Sequence, residues 1–302
     1  MITVNDSSME KKIGGCVILY HPDKSVTANI ATWYPDVDVM FMIDNSPQQH
    51  PELAVQQPDF NPGKIHYHWM GGNKGVASAL NVACRLALQQ ECNWLLTMDQ
   101  DSHFHHKGLA GMIARIDAIE AANIPVGIIS PAHLISEHFM EEEVGNYKEV
   151  KYEMTSGNLL NLRAWQTVGS FEDKLFIDCV DMDYCLRLRK AGFRIIQVNG
   201  VHLQHSLGNF QVRKVAGIKM GISNHSPERK YYITRNKMYT LKKYFGFDPA
   251  FCLLVVRSMF GDLIRIIFFE KQKSLKLRAV LTGIGHWMID RYGRHTMEKV
   301  PE

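Results

Sequence analysis

The amino-acid sequence predicts an α/β fold in which a Rossmann-like, mostly parallel sheet is flanked by helices and followed by a C-terminal helical extension. Short apolar runs alternate with helix-like stretches in the first half of the 302 residues, as expected for strand–helix units. After about residue 210 the chain becomes basic and helical in character. We therefore predict a catalytic or binding domain over residues 1–210 and an amphipathic extension over residues 211–302.

Individual elements follow from the spacing of apolar residues. In the first helix candidate, Val76, Leu80, Ala83 and Ala87 recur at intervals of three or four and form one face. Ser226 and Pro227 provide a start signal for the second helix. The predicted strands are Gly15–Tyr20, Val37–Ile43, Trp94–Met98 and Pro125–Ser130. The predicted helices are Lys74–Gln89, Lys230–Tyr244, Pro249–Glu270 and Ser274–Arg291.

Charge and cysteine content limit the classes of function. A net charge of +3 and a pI near 8.4 are too mild for a nucleic-acid partner, although the basic residues concentrate toward the C-terminus. The six cysteines show no CxxC or Cys/His zinc spacing, which favours reduced thiols in a cytoplasmic protein. The first twelve residues also lack the apolar run of a signal peptide.

The most apolar segment, Phe251 to Phe269, is predicted to be an amphipathic helix and not a membrane span. Arg257, Asp262 and Arg265 lie within it, and such charges are costly at the centre of a bilayer. Two interpretations of its apolar surface stay open. It packs on the core, or it makes a peripheral contact with the cytoplasmic surface of the inner membrane.

Polar residues concentrate where three predicted strands end. The segments begin at Tyr20, at Asp44 and at Asp99, and ligands of open α/β sheets bind beyond the carboxyl ends of strands. Asp99 and Asp101 flank a single glutamine and supply the hard oxygen ligands that Mg²⁺ or Mn²⁺ prefers. Taken alone, this acidic pair is a weak signal, since two acids in a solvated loop arise often by chance.

Three further segments are candidates for the same site. The glycine turn that contains Asn73, Lys74 and Gly75 opens a predicted helix, where an anion would offset the lysine's unfavourable interaction with the helix dipole. Asp178, Asp181 and Asp183 precede or begin another helix, and a positioned carboxylate is a usual general base. His205 lies in a polar turn and has the chemistry of a metal ligand. Each segment also has an ordinary structural interpretation, as a turn, a helix cap or a structural histidine.

Together these segments resemble the family 2 glycosyltransferases in order and spacing. The strings Leu-Thr-Met-Asp-Gln-Asp-Ser from Leu96, Phe-Ile-Asp-Cys-Val-Asp-Met-Asp from Phe176 and Arg-Lys-Tyr-Tyr-Ile-Thr-Arg-Asn from Arg229 are similar to bacterial rhamnosyltransferases of O-antigen and other surface polysaccharides. The resemblance covers roughly residues 13–245 and implies a GT-A fold. Lys74 and His21 depart from the family's commoner residues at their positions, so donor specificity is left open.

The resemblance implies a role for each matched residue. Asp181 corresponds to the catalytic base. Asp101 and His205 correspond to ligands of a Mg²⁺ or Mn²⁺ cofactor. Asp178 and Asp183 correspond to residues that position the acceptor. The remaining positions are implied to bind the nucleotide sugar: Tyr20, Asp44, Asn73, Lys74, Gly75, Asp99, Arg229 and Arg235.

The implied function is inverting transfer of a sugar, with rhamnose from dTDP-rhamnose ahead of a UDP-hexose or UDP-galactofuranose donor. The implied partners are the nucleotide-diphosphate sugar and a glycan or lipid-linked glycan acceptor. A catalytically silent scaffold of polysaccharide assembly is the non-enzymatic alternative. A sugar nucleotidyltransferase would require a glycine-rich, arginine-containing loop where the chain has Tyr20-His21-Pro22. A hydrolase with two carboxylates would release free sugar without an acceptor.

Overall fold

The computed structural model describes residues 11–55, 60–134, 146–205, 211–215, 218–222 and 224–295. Within this part of the chain, a nine-stranded mixed sheet runs through the molecule in the order β3-β2-β1-β4-β8-β6-β9-β5, and β7 pairs with β9. A separate hairpin joins β10 to β11. The strands are β1 Ile13–Leu19, β2 Val39–Asp44, β3 Ile65–Trp69, β4 Trp94–Asp99, β5 Ser102–Phe104, β6 Val126–Leu134, β7 Tyr147–Val150, β8 Asn158–Asn161, β9 Arg194–His205, β10 Gln211–Val215 and β11 Ile218–Ile222.

Helices cover both faces of this sheet. The helices are α1 Ser25–Ala31, α2 Glu52–Val55, α3 Val76–Gln89, α4 Gly108–Ala121, α5 Leu162–Val168, α6 Val180–Lys190, α7 Pro227–Tyr244, α8 Pro249–Phe268 and α9 Lys273–Met288. Buried residues of α1 and α4 join one core cluster, and those of α3, α5 and α6 join a second cluster. The sheet therefore separates two apolar layers, as in other α/β folds.

The predicted Rossmann-like α/β architecture is confirmed. One parallel part is the edge formed by β3, β2, β1 and β4, and β6 and β9 form a second parallel pair. Strand β8 then pairs antiparallel with both β4 and β6. Both faces of β1 and β2 are buried, and this explains why their sequences are continuous apolar runs.

The predicted elements are present with shifted ends. All four predicted strands form, and β4 extends one residue further, to Asp99. Ser226 caps α7 as predicted, because its Oγ accepts the Arg229 N–H at 3.2 Å. The prediction that Lys74 lies in the first turn of a helix is wrong. Helix α3 begins at Val76 after Gly75, whose φ of 90° is not helical.

Two predictions about the protein's class can be compared with the fold. All six cysteines are free, and each is at least partly buried. Among the described residues, no helix combines the length and apolarity needed to cross a membrane. The C-terminal helices pack on one another, and α7 also contacts the segment that leads into α6, so α7 bears directly on the site described next.

Candidate active site

The loops after β1, β2 and β4 meet at one edge of the sheet, because β1 lies between the other two strands. The Tyr20 N–H donates to Oε1 of Gln100 at 2.8 Å, and Nε2 of Gln100 donates to the Tyr20 carbonyl at 3.0 Å. The His21 N–H donates to Oγ of Ser46 at 2.9 Å. These bonds hold the loop that carries Asp99 and Asp101 against the loop that begins at Tyr20.

The turn before α3 is attached to the loop after β2. The Lys74 N–H donates to Oδ1 of Asn45 at 2.7 Å, and Nδ2 of Asn45 donates to Oδ1 of Asn73 at 3.3 Å. Oδ1 of Asn73 also accepts the Gly75 N–H at 3.0 Å. Asn73 and the backbone of Lys74 are thus fixed by amide hydrogen bonds, while the Lys74 residue is exposed at the surface.

Gly75 brings this turn into close contact with the segment before α6. A Cβ at Gly75 would lie 2.5 Å from the carbonyl oxygen of Phe176, and the positive φ of Gly75 also disfavours other residues. The neighbouring Val76 N–H donates to the same Phe176 carbonyl at 2.8 Å. Glycine is therefore required here for both space and backbone conformation.

Residues 176–179, which we name the acidic loop, have a strained backbone. Phe176, Asp178 and Cys179 all have φ between 61° and 66°, a region that residues other than glycine rarely adopt. Such strain persists only where surrounding contacts fix the conformation, and it is common at functional sites. The acidic loop ends at the N-terminus of α6, where Asp181 lies in the first turn.

Asp181 has the electrostatic environment of a general base. Burial raises the pKa of its carboxyl to about 6, and the negative charges of Asp178 and Asp99 contribute in the same direction. One oxygen, Oδ1, accepts the Met182 N–H at 2.8 Å. The influence of Asp99 on Asp181 means that acids from two distant stretches of the chain share one site. A carboxylate with this pKa is ionised at neutral pH and still basic enough to accept a proton.

Asp178 and Arg229 form an ion pair beside Asp181. Nη2 of Arg229 donates to Oδ1 of Asp178 at 3.2 Å, and the Arg229 side chain is 47% exposed. Oδ2 of Asp178 is buried and has no hydrogen-bond partner within the described structure. Burial raises the pKa of Asp178, and Arg229 opposes that rise. A buried oxygen of this kind is a candidate acceptor for a ligand hydroxyl.

The acids after β4 have suitable chemistry for a divalent cation. The main chain of Asp99 donates to Oγ of Ser156 at 3.1 Å, which fixes the end of β4. Strand pairing places Ser102 opposite His205, next to Asp101, although the side chain of His205 lies outside the described residues. The charge of Asp99 raises the pKa of Asp181, so this crevice has a negative potential that a cation would relieve.

The described residues contain no cluster of three or more His, Cys, Asp or Glu side chains with the geometry of a complete metal site. Two carboxylates are nevertheless sufficient for Mg²⁺ or Mn²⁺ on a nucleotide, since phosphate oxygens and water provide the other ligands. Asp99 and Asp101 therefore fit a cation that is bound together with a diphosphate.

Two residues predicted to contact ligands are buried instead. Both oxygens of the fully buried Asp44 accept hydrogen bonds, Oδ1 from the Ser46 N–H at 2.9 Å and Oδ2 from the Tyr67 hydroxyl at 2.6 Å. Asp44 thus stabilises the loop after β2 through hydrogen bonds made on its buried side. Asp183 is also fully buried and receives bonds from Arg187 at 2.9 Å and from Lys243 at 2.7 Å. The acceptor-binding role predicted for Asp183 does not fit this geometry.

Arg235 is a further correction to the predicted nucleotide contacts. Its side chain is fully buried, and Nη1 donates to the Gly293 carbonyl at 2.9 Å while Nη2 donates to the Leu175 carbonyl at 3.1 Å. The ring of Tyr232 lies 5.1 Å from the guanidinium carbon. All these partners belong to the protein, so Arg235 is a structural anchor and cannot reach a diphosphate without leaving them.

Asn236 is a site residue to which no role is assigned from the sequence. Its Nδ2 atom donates to three carbonyls of the segment that forms the acidic loop, those of Leu175 at 2.8 Å, Ile177 at 2.7 Å and Asp178 at 3.0 Å. The side chain is fully buried. Its position directly after Arg235 in a basic helix was the signal available, but only the tertiary structure shows which backbone it binds.

A small pocket beside Asp181 completes the site. Its lining includes Thr97 of β4, Glu153 and Thr155 of the segment before β8, and Tyr184 of α6. Nε2 of His133 donates to the Ser156 carbonyl at 2.7 Å, and Nδ1 of His133 pairs with Glu153 at 3.0 Å. The segment at residues 155–158 therefore forms one wall of the crevice.

Acids beyond the strand ends of an α/β sheet, a glycine turn and a basic carboxylate at a helix start are the features of a glycosyltransferase of the GT-A fold. Residues 23–159 match the sequence profile described as Glycosyl transferase family 2. The chain is 26% identical over 298 residues to dTDP-rhamnosyl transferase RfbF from Shigella flexneri, an alignment that covers 91% of this chain and 96% of the relative. Residues 23–159 are thus similar to the family 2 glycosyltransferases, and the similarity to RfbF extends over most of the chain.

Solved structures of glycosyltransferases share this fold. TarS from S. aureus superposes with a TM-score of 0.53 at 14% identity and is matched over 91% of this chain. The chain spans 43% of TarS, less than half of that protein. GalNAc-T7 in complex with UDP, GalNAc and Mn²⁺ superposes with a TM-score of 0.53 at 10% identity. The match covers 79% of this chain and 52% of the GalNAc-T7 chain. These likenesses establish the fold.

Proposed function

We propose that this enzyme transfers rhamnose from dTDP-rhamnose, with inversion, to a glycan or lipid-linked glycan during synthesis of a cell-surface polysaccharide in the cytoplasm. The likeness to RfbF over nearly the whole chain supports the donor. The observation that carries the chemistry is Asp181, a half-buried carboxylate whose pKa is raised to about 6 in a crevice shared with Asp99 and Asp178.

In the proposed reaction Asp181 accepts the proton of the attacking acceptor hydroxyl. The hydroxyl oxygen forms a bond to the anomeric carbon while the bond from that carbon to the diphosphate oxygen breaks, so the anomeric configuration inverts. The buried, unpaired Oδ2 of Asp178 binds and orients a hydroxyl of the acceptor. A group with a pKa near the working pH suits this task, since it is ionised before attack and protonated after it.

The departing diphosphate carries negative charge that the site must stabilise. Asp99 and Asp101 would hold a divalent cation, and the cation would neutralise part of that charge when bound. In addition to the cation, the exposed Lys74 and the half-exposed Arg229 would provide positive charge to the donor diphosphate. The Mn²⁺ and UDP bound in the GalNAc-T7 structure are consistent with this division of roles.

Substitution of Asp181 by Asn tests the assignment of the base. The variant keeps the side chain's size and should bind dTDP-rhamnose with unchanged affinity by calorimetry, while turnover falls by ~10²-fold or more. Glu228→Gln, an exposed acid on α7, is the matched control and should keep normal turnover. Near-normal turnover of Asp181→Asn would exclude Asp181 as the base.

A donor panel tests the sugar nucleotide separately. Thermal stabilisation by dTDP-rhamnose with Mg²⁺ or Mn²⁺, and weaker stabilisation by a UDP-hexose or UDP-galactofuranose, is the expected result. Preference for a uridine nucleotide would replace the proposed donor but keep the enzyme class. Absence of any stabilisation together with absence of turnover would instead favour the catalytically silent scaffold.

A further inference from the structure

The helix α8 presents an apolar face to solvent. Leu253, Val256, Phe260, Ile264 and Ile267 are all exposed, and their spacing of three or four residues places them along one side of the helix. Phe260 is 65% exposed. This set, which we name the α8 face, is a strip of large aliphatic and aromatic side chains that also includes the position of the exposed Arg257. Isolated exposed apolar residues are ordinary in proteins, but a contiguous strip of this kind marks an interaction site.

The opposite side of α8 already holds the helix on the protein. Phe251, Cys252 and Val255 pack in a buried cluster with Tyr244 of α7. Asp262 accepts a bond from Lys237 at 2.7 Å. The buried side of α8 is therefore sufficient to attach the helix to the described part of the chain, and the α8 face is not needed for that attachment. The helix would be stably attached if the exposed positions were polar.

Further exposed apolar side chains lie on neighbouring elements. Four side chains of the α7–α8 connection, the end of α8 and helix α9 are each at least 66% exposed. They are Phe245, Phe268, Leu281 and Met288. Ile289, directly after α9, is 69% exposed. Exposed apolar side chains are thus present on each of the C-terminal elements from the end of α7 onward.

The charges around this surface are almost all of one sign. Between residues 249 and 295 the exposed charged residues include a single acid, Asp290. The exposed cations of the same segment are Arg257, Lys271, Lys273, Arg278, Arg291 and Arg294. Arg257 lies on α8 itself, between the apolar positions Val256 and Phe260. An apolar strip with basic residues around it is complementary to a bilayer surface that carries anionic headgroups.

We propose that the α8 face docks on an anionic lipid bilayer, with α8 lying in the plane of the headgroup region. The apolar side chains would enter the boundary between headgroups and acyl chains, and the cations would contact phosphate groups. No described helix is long and apolar enough to span the membrane, which agrees with attachment at the surface. A second copy of this chain is the less favourable occupant, because a self-complementary contact would bring six cations per copy near one another. The inference goes beyond the proposed reaction and is independent of the donor.

Co-sedimentation of the full chain with vesicles tests this proposal. Vesicles of phosphatidylcholine with phosphatidylglycerol should bind the protein, and vesicles of phosphatidylcholine alone should bind it more weakly. Binding to the anionic vesicles should decrease as salt is raised. The double variant Phe260→Glu/Ile264→Glu should lower the partition coefficient by about tenfold or more, because it replaces two membrane-inserted groups with charges of the wrong sign. Its melting temperature should match that of the wild type, since both positions face solvent.

Tyr147→Glu, at an exposed apolar residue of β7, is the matched control and should bind vesicles like the wild type. Arg257→Glu should weaken binding to the anionic vesicles but not to vesicles of phosphatidylcholine alone. The proposal is overturned if the wild type stays in the supernatant with anionic vesicles or if the double variant binds them as well as the wild type. It is also overturned if the wild type is a dimer by light scattering and the double variant is a monomer, since a second copy would then occupy the surface.

Discussion

Asn236→Ala is expected to disconnect the acidic loop from α7. The substitution removes a fully buried amide that donates to the carbonyls of Leu175, Ile177 and Asp178. All three carbonyls lose this donor. The Leu175 carbonyl keeps a bond from Arg235 at 3.1 Å, so the loss affects the Ile177 and Asp178 carbonyls most. Nε of Arg235 also loses its acceptor, Oδ1 of Asn236, at 3.0 Å. A buried polar group without a partner costs about 1–3 kcal/mol, and water entering the space left by the side chain recovers part of this.

We therefore expect the free energy of unfolding to fall by about 2–4 kcal/mol, measured by urea titration. Turnover at saturating donor should fall by at least about tenfold, because Asp178 and Asp181 depend on the acidic loop for their positions. Lys242→Ala, at an exposed position of the same helix, controls for the loss of helix side chains and should change neither quantity appreciably. A loss of stability below about 0.5 kcal/mol with normal turnover would refute the anchoring role of Asn236.

Four further outcomes are expected. Because the pKa of Asp181 is raised in the folded state to about 6, the stability of the wild type decreases as pH rises from about 4 to 6. In the presence of a chelator, the Asp181→Asn variant should therefore be more stable than the wild type above pH 7, by about 1–3 kcal/mol. Equal stability of the two proteins at pH 8 would contradict the raised pKa. Wild-type turnover should rise with pH through about 6, and a flat profile from pH 5 to 8 would count against a single base. Gly75→Ala should lower stability by about 2 kcal/mol or more and slow turnover, since its Cβ meets Phe176 at 2.5 Å; unchanged urea unfolding would show that the backbone yields easily. Asp101→Ala should weaken Mn²⁺ binding in the presence of donor, and an unchanged calorimetric titration would remove Asp101 from the metal site.

The sheet was predictable because its signals are local. Strands β1, β2 and β4 are buried on both sides, so each is a continuous apolar run that ends at polar residues. The position of the proposed base was predictable for a related reason, since Asp181 lies at the start of a helix. The antiparallel strand β8 has four residues and follows a polar stretch, which is too short a pattern to identify from spacing.

The roles of the charged residues were less predictable, because burial is not visible in a sequence. Arg235 and Arg229 are both arginines of α7 six residues apart, yet Arg235 is fully buried and Arg229 is half-exposed. For Asp183 a signal was present. Arg187 follows at the i+4 position, where a helical ion pair forms, and the structure contains that pair. An acid with a helical cation four residues away is a weaker candidate for ligand binding than Asp181, which has none.

Helix α7 links the C-terminal part to catalysis through the acidic loop. Three of the four residues of that loop have a positive φ, and its carbonyls accept hydrogen bonds from Val76 on one side and from Asn236 on the other. Further along α7, Tyr244 donates to the buried Asp183 at 2.7 Å and so fixes α6 two residues after the proposed base. The boundary predicted between residues 210 and 211 stays a prediction, but these bonds cross it. A carboxylate held at a raised pKa and a strained loop both cost stability, and the buried contacts of α7 are the part of the structure that offsets this cost.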